Sequence, residues 1–80
     1  MITVYGMKIC PDTTAALEKL TAAGTPFVYK DFNESTQNLK DFLAIRDDPA
    51  NRALFDPVRA AGGIGIPLFV LDDGTVTDHL

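Results

Sequence analysis

Pro11 admits few readings of the segment around it. A proline lacks the N–H that a helix interior requires, so inside a helix it belongs in the first turn. A helix should therefore start at residue 11, with Cys10 at or near its N-cap. Just before it lies Ile2-Thr3-Val4-Tyr5, short, β-branched and aromatic, closed by Gly6, which reads as a buried strand. Beyond Pro11, Ala15, Ala16, Leu17, Leu20 and Ala23 recur at helical spacing; Gly24 suits the position after the helix, and Pro26 prevents continuation. Thr25 to Phe32 then reads as a second strand centred on Phe27, Val28 and Tyr29. Strand, helix and strand within about thirty residues form a βαβ unit, whose right-handed crossover makes the two strands parallel.

The remainder is less regular. Asn33-Glu34-Ser35 is a turn and cap, followed by a helix with Leu39, Phe42, Leu43 and Ile45 inward and Lys40, Asp41 and Arg46 outward. Asp47-Asp48-Pro49 breaks that helix, and Asp56-Pro57 repeats the cap-plus-proline signal ahead of Val58-Arg59-Ala60-Ala61. Residues 35–61 are thus expected as a broken helical layer. Gly62-Gly63-Ile64-Gly65 leads into the apolar strand Ile66 to Leu71, Asp72-Asp73-Gly74 is a hairpin turn, and Thr75-Val76-Thr77 returns.

Eighty residues suit one domain, 1–80, with a single small core. One cysteine allows no internal disulfide, and no residues have metal-ligand spacing; the only histidine is His79. The unpaired cysteine and the lack of a signal-peptide pattern point to the cytoplasm. No apolar run approaches the roughly 18 residues of a membrane span. A formal charge of −4, with seven scattered Lys and Arg residues, disfavours nucleic acid.

Chemistry concentrates at the strand-to-helix turn. The N–H groups of Asp12 and Thr13 can point at the Cys10 sulfur, and the Thr13 hydroxyl lies within reach of it. These donors and the helix dipole favour the thiolate, the form that attacks a disulfide. Lys8 would add positive charge from the loop, and Asp12 would oppose it. The structural alternatives are an inert buried cysteine, an ordinary first-turn threonine and a solvated lysine. Pro67 offers a second pair of readings. It stands either at an ordinary strand start, or in a cis peptide bond whose turn frees the N–H and C=O of Ile66 for an extended peptide.

Cys10-Pro11-Asp12-Thr13 and Gly65-Ile66-Pro67-Leu68-Phe69-Val70 resemble the Cys-Pro-x-Cys and Thr-Val-Pro motifs of glutaredoxins. The likeness runs from Ile2 to Asp78. In Asn38 to Phe42-Leu43 and Phe55 to Val58 it looks closest to small bacterial glutaredoxin-related proteins. It implies an α/β, thioredoxin-like fold of order β-α-β-α-β-β, with a four-stranded mixed sheet and without the usual C-terminal helix. It also implies a thiol–disulfide oxidoreductase in which Cys10 is the nucleophile, with Pro11 and Thr13 beside it. Lys8, Gly65, Ile66, Pro67, Thr77 and Asp78 would contact glutathione as co-substrate, Thr77-Asp78 taking its γ-glutamyl end. The partners would be glutathione or glutathionylated protein thiols.

The departures redirect that expectation. Thr13 replaces the second cysteine, so the activity would be monothiol, released by an outside thiol. Ile64 stands where the family has a basic residue, Lys8 lies two rather than three positions before the cysteine, and the Gly-Gly pair before the last helix is absent. The iron–sulfur-carrying monothiol branch has Cys-Gly-Phe-Ser, which this motif does not match. Only His79 and Leu80 follow Asp78, so a sheet face is expected to lie uncovered, inviting a homodimer or marking a fragment. The alternative function is a catalytically weak binding module that uses the Pro67 groove or that sheet face. A glutathione-transferase-like amino-terminal domain is disfavoured, since no helical domain follows.

Overall fold

A computed structural model describes residues 1–80. It is α/β, in the order β1 (Ile2–Gly6), α1 (Pro11–Ala22), β2 (Phe27–Asp31), α2 (Thr36–Asp47), a 3₁₀ turn (Pro49–Asn51), α3 (Arg52–Ala60), β3 (Leu68–Val70) and β4 (Val76–Thr77). The four strands form one mixed sheet in the order β2-β1-β3-β4. β1 runs parallel to β2, with Val4 beside Tyr29, and antiparallel to β3, with Tyr5 beside Leu68. β3 and β4 close an antiparallel hairpin.

The βαβ unit forms where its punctuation places it. Pro11 occupies the first turn of α1. At the other end the N–H of Gly24 bonds the Thr21 carbonyl and that of Thr25 bonds the Leu20 carbonyl, with Gly24 at φ +68°. That pair of bonds is the Schellman ending, in which glycine supplies the left-handed residue.

Alternation along β1 assigns each neighbour to one face. Val4 joins Leu20 of α1 and Phe69 of β3 in one buried cluster. Tyr5 joins Phe42 of α2, Phe55 of α3 and Leu68 in the other. On this second face the Phe42 ring lies 5.1 Å from Phe32 and meets Phe55 edge-on at 6.3 Å. One helix therefore covers one face, and two cover the other.

The helical layer departs from the sequence reading in two places. Leu43, expected inward, is 38% exposed, because Phe42 fills the core position next to it. Pro57, expected to start a helix, lies inside α3. The helix tolerates it because the carbonyl that loses its partner, that of Ala53, sits on the exposed side, where water can bond it. Burial of Phe55, which is 0% exposed, holds the helix in place. The Arg59 guanidinium ties α3 to the end of α2, bonding the Arg46 carbonyl at 2.7 Å, and Arg46 in turn reaches the Gly63 carbonyl at 3.3 Å. No helix is long and apolar enough to cross a membrane.

Candidate functional site

Cys10 is the N-cap of α1, half-buried, with extended backbone at φ −80° and ψ 118°. Its N–H bonds the Met7 carbonyl at 3.0 Å, and its carbonyl accepts the first helical bond, from Thr14, at 3.2 Å. The N–H groups of Asp12 and Thr13 are left without a backbone partner. The expected bond from these donors to the cysteine side chain is not formed. The sulfur thus stands at the positive end of a helix, beside free donors and not bonded to them.

Thr13 also departs from expectation. It is 0% exposed, and its hydroxyl has no hydrogen-bond partner. Its side chain packs against Gly6 at the end of β1 instead of engaging the sulfur. The neighbouring Thr14 does the anchoring: its hydroxyl donates to the Lys8 carbonyl at 2.7 Å and ties the cysteine loop to α1. Nothing in the Thr-Thr pair distinguished the two roles, which follow from which side chain faces the sheet.

Lys8 turns towards β2, its ammonium 5.8 Å from the centre of the Tyr29 ring. β2 and β3 flank β1 on opposite sides, so Lys8 leans away from Pro67. Burial, and then the charges of Asp31 and Glu34, push the Tyr29 phenol above its ordinary pKa.

The Ile66–Pro67 bond is cis. β3 begins only at Leu68, one residue beyond the proline that cannot donate to its ladder. The N–H and C=O of Ile66 have no partner in the chain. Gly65 carries this turn at φ +99°, and a Cβ there would lie 2.7 Å from the Phe55 ring. Both conformation and space therefore require glycine at 65.

An open groove of about 840 Å³ runs between α1 and the β3–β4 side of the sheet. Asp12, Ala16 and Leu20 line one wall; Ile66, Pro67 and Asp78 are among the residues opposite. The groove brings together Asp12, Gly65, Ile66, Pro67 and Asp78; Lys8, Cys10, Pro11, Thr13 and Thr77 are not among its lining residues, so the cysteine stands next to the groove and not in its wall. Thr77 is the last residue of β4, and its hydroxyl engages the backbone of His79. Asp78 lies beside His79, 2.8 Å from its Nδ1. No group of three or more His, Cys, Asp or Glu side chains is placed to hold a metal ion.

These features define a small α/β domain whose one cysteine caps the first helix beside a groove edged by a cis-proline turn. An uncharacterized protein of Haemophilus influenzae is 36% identical to it over 73 residues, covering 91% of this chain and 81% of that protein. The chain belongs to the same family as that protein. No family profile matches it, and no solved structure matches it.

Proposed function

We propose that the domain is a thioredoxin-like, glutaredoxin-related protein that performs monothiol thiol–disulfide exchange through Cys10. One arrangement carries this reading. The only thiol caps a helix whose first N–H groups are free, and the same helix shares a groove with an Ile66 backbone that has no internal partner. The first feature leaves a half-buried thiol at the helix start, open to an incoming disulfide; the second offers an extended substrate a donor and an acceptor.

In the proposed cycle the Cys10 thiolate attacks the glutathione sulfur of a protein–glutathione mixed disulfide. The old S–S bond breaks, and the protein sulfur leaves as thiolate and takes a proton from water. A second glutathione thiolate then attacks the sulfur that glutathione contributes to the Cys10 disulfide, releasing Cys10 and glutathione disulfide. Thr13 cannot perform that second attack, so the outside thiol is obligatory. The groove suits the middle of a tripeptide better than its charged ends. Lys19 is the lysine that lines it, Lys8 faces Tyr29, and Ile64 stands exposed where a basic side chain would be useful. We therefore expect weak glutathione affinity in a reducing compartment.

The test is reduction of a glutathionylated peptide by the wild-type protein and by Cys10→Ser, with and without free glutathione. The reading requires turnover that depends on both Cys10 and free glutathione; equal rates for the two proteins would end it.

A binding module is the second reading, favoured by the absence of any cap bond to the cysteine side chain. It predicts that an extended peptide binds the groove equally well after Cys10→Ser, or that the protein dimerises in a concentration-dependent way through the groove face.

A further inference from the structure

Gly6 is buried, yet its backbone is not in the left-handed region that favours glycine. The side chain is missing there for space. A Cβ built on Gly6 would lie 2.7 Å from both Cγ2 and Oγ1 of Thr13, and 3.3 Å from its Cβ. The two close contacts are with a β-branched, fully enclosed side chain that has no open direction to move in. Thr13 lies in the first turn of α1, three residues after Cys10.

Gly6 also touches the other half of the site through the sheet. Tyr5 pairs with Leu68 across the antiparallel ladder, so one further step in the same register sets Gly6 opposite Pro67. On its other side Gly6 pairs with Asp31 of β2, and its carbonyl accepts a bond from Phe32 at 3.0 Å. β1 cannot shift sideways at this point without breaking one of these pairings.

We infer that Gly6 is a positioning residue for the thiol chemistry: its bare α-carbon seats Thr13 and thereby sets how closely the Cys10 turn approaches the Ile66–Pro67 turn. This deepens, and rests on, the proposal of exchange at Cys10. Restoring an ordinary contact in place of 2.7 Å requires the first turn of α1 to lift by about 1 Å, a misplacement that can cost a reaction on the order of a hundredfold. Cys10 moves with its own helix, so its relation to the free N–H groups is kept. Only its relation to Ile66 is lost.

The experiment is a cycle of Gly6→Ala in the Thr13 and Thr13→Ala backgrounds, with two rates measured for each folded protein. One is exchange with a glutathionylated peptide, which uses the Ile66 side; the other is alkylation by iodoacetamide across pH, which does not. With Thr13 present, Gly6→Ala should slow exchange by about tenfold or more and leave the alkylation profile in place. In the Thr13→Ala background, where only the 3.3 Å contact remains, the same substitution should cost less than about threefold. Thr13→Ile, which pushes on the same seat from the other side, should reproduce the loss if Gly6→Ala does not fold. Equal cost in both backgrounds, or no cost in a folded Gly6→Ala protein, overturns the inference.

If wild-type exchange proves no faster than that of Cys10→Ser, the proposed function fails, and the seat is read by amide chemical shifts instead. Gly6→Ala should then move the Cys10–Thr13 and Ile66 resonances together only when Thr13 is present; shifts confined to the neighbours of Gly6 would overturn it.

Discussion

The two faces of the sheet are built to different standards. Behind it, α2 and α3 bring Phe42 and Phe55 against Tyr5 and Leu68, and three of these four side chains are 0% exposed. In front, α1 alone brings Leu20 against Val4 and Phe69 and leaves the groove open beside it. The cysteine and the groove belong to the front; the turn that presents Ile66 is held from behind, through Gly65 on Phe55 and Arg46 on the Gly63 carbonyl. Rigidity thus comes from the rear while the candidate site lies on the front, the arrangement expected when a site is carried by a scaffold packed separately from it.

The strongest way to break this contrast is to empty the rear core. Phe55→Ala should cost about 3–5 kcal/mol, comparable to the whole stability of a domain this small, and should loosen the Gly65 turn as well. Leu20→Ala on the front should cost about 2–3 kcal/mol, near the low end for a buried leucine, because the adjoining groove lets neighbours relax into the gap. Urea unfolding of the two variants measures both. Equal losses would mean that the faces contribute alike.

Gly65→Ala probes the join between the faces. Its φ of +99° and the Phe55 ring 2.7 Å from a new Cβ both oppose a side chain. Backbone strain of this kind costs about 1–3 kcal/mol, so the protein should remain folded while the Ile66 turn moves. Exchange with a glutathionylated peptide should fall by roughly tenfold or more, and alkylation of Cys10 should change little. An unaltered exchange rate would detach the Ile66 turn from the chemistry.

How much of this was legible in the sequence depends on whether the cause was local. Pro11, Gly24 with Pro26, and Asp72-Asp73-Gly74 act on their own backbone, and each produced the element it announced. Pro57 did not, because burial of Phe55 outweighed one lost hydrogen bond on a wet surface. The site divided in the same way. Cys10 at a helix start was readable from Pro11. The seating of Thr13 on Gly6 was not, since Gly6 also reads as a simple strand terminator and the contact joins two different elements. Lys8 lies two residues before the cysteine, but its ammonium rests by the aromatic face of Tyr29, on the far side of β1 from Pro67, a preference that sequence spacing does not carry.

The smallest expected effect separates the faces by charge rather than by packing. Tyr5 behind the sheet and Tyr29 in front of it both have phenol pKa values raised by burial, reinforced by Asp41 for Tyr5 and by Asp31 and Glu34 for Tyr29. A folded-state pKa above the unfolded one means that folding favours the neutral phenol. The associated stability is complete below the unfolded value near 10 and is lost as the pH rises through the folded one. Thermal stability should therefore decline above about pH 10, and each Tyr→Phe substitution should soften that decline. Tyr5→Phe should do so more strongly, because its ring lies in the tighter core. At neutral pH the order reverses. Tyr29→Phe removes a buried hydroxyl that has no hydrogen-bond partner and should stabilise the protein by up to about 1 kcal/mol, with the ring still available to Lys8. A neutral-pH loss on Tyr29→Phe would show that its hydroxyl is satisfied by water, and that the front face is wetter at β2 than its packing implies.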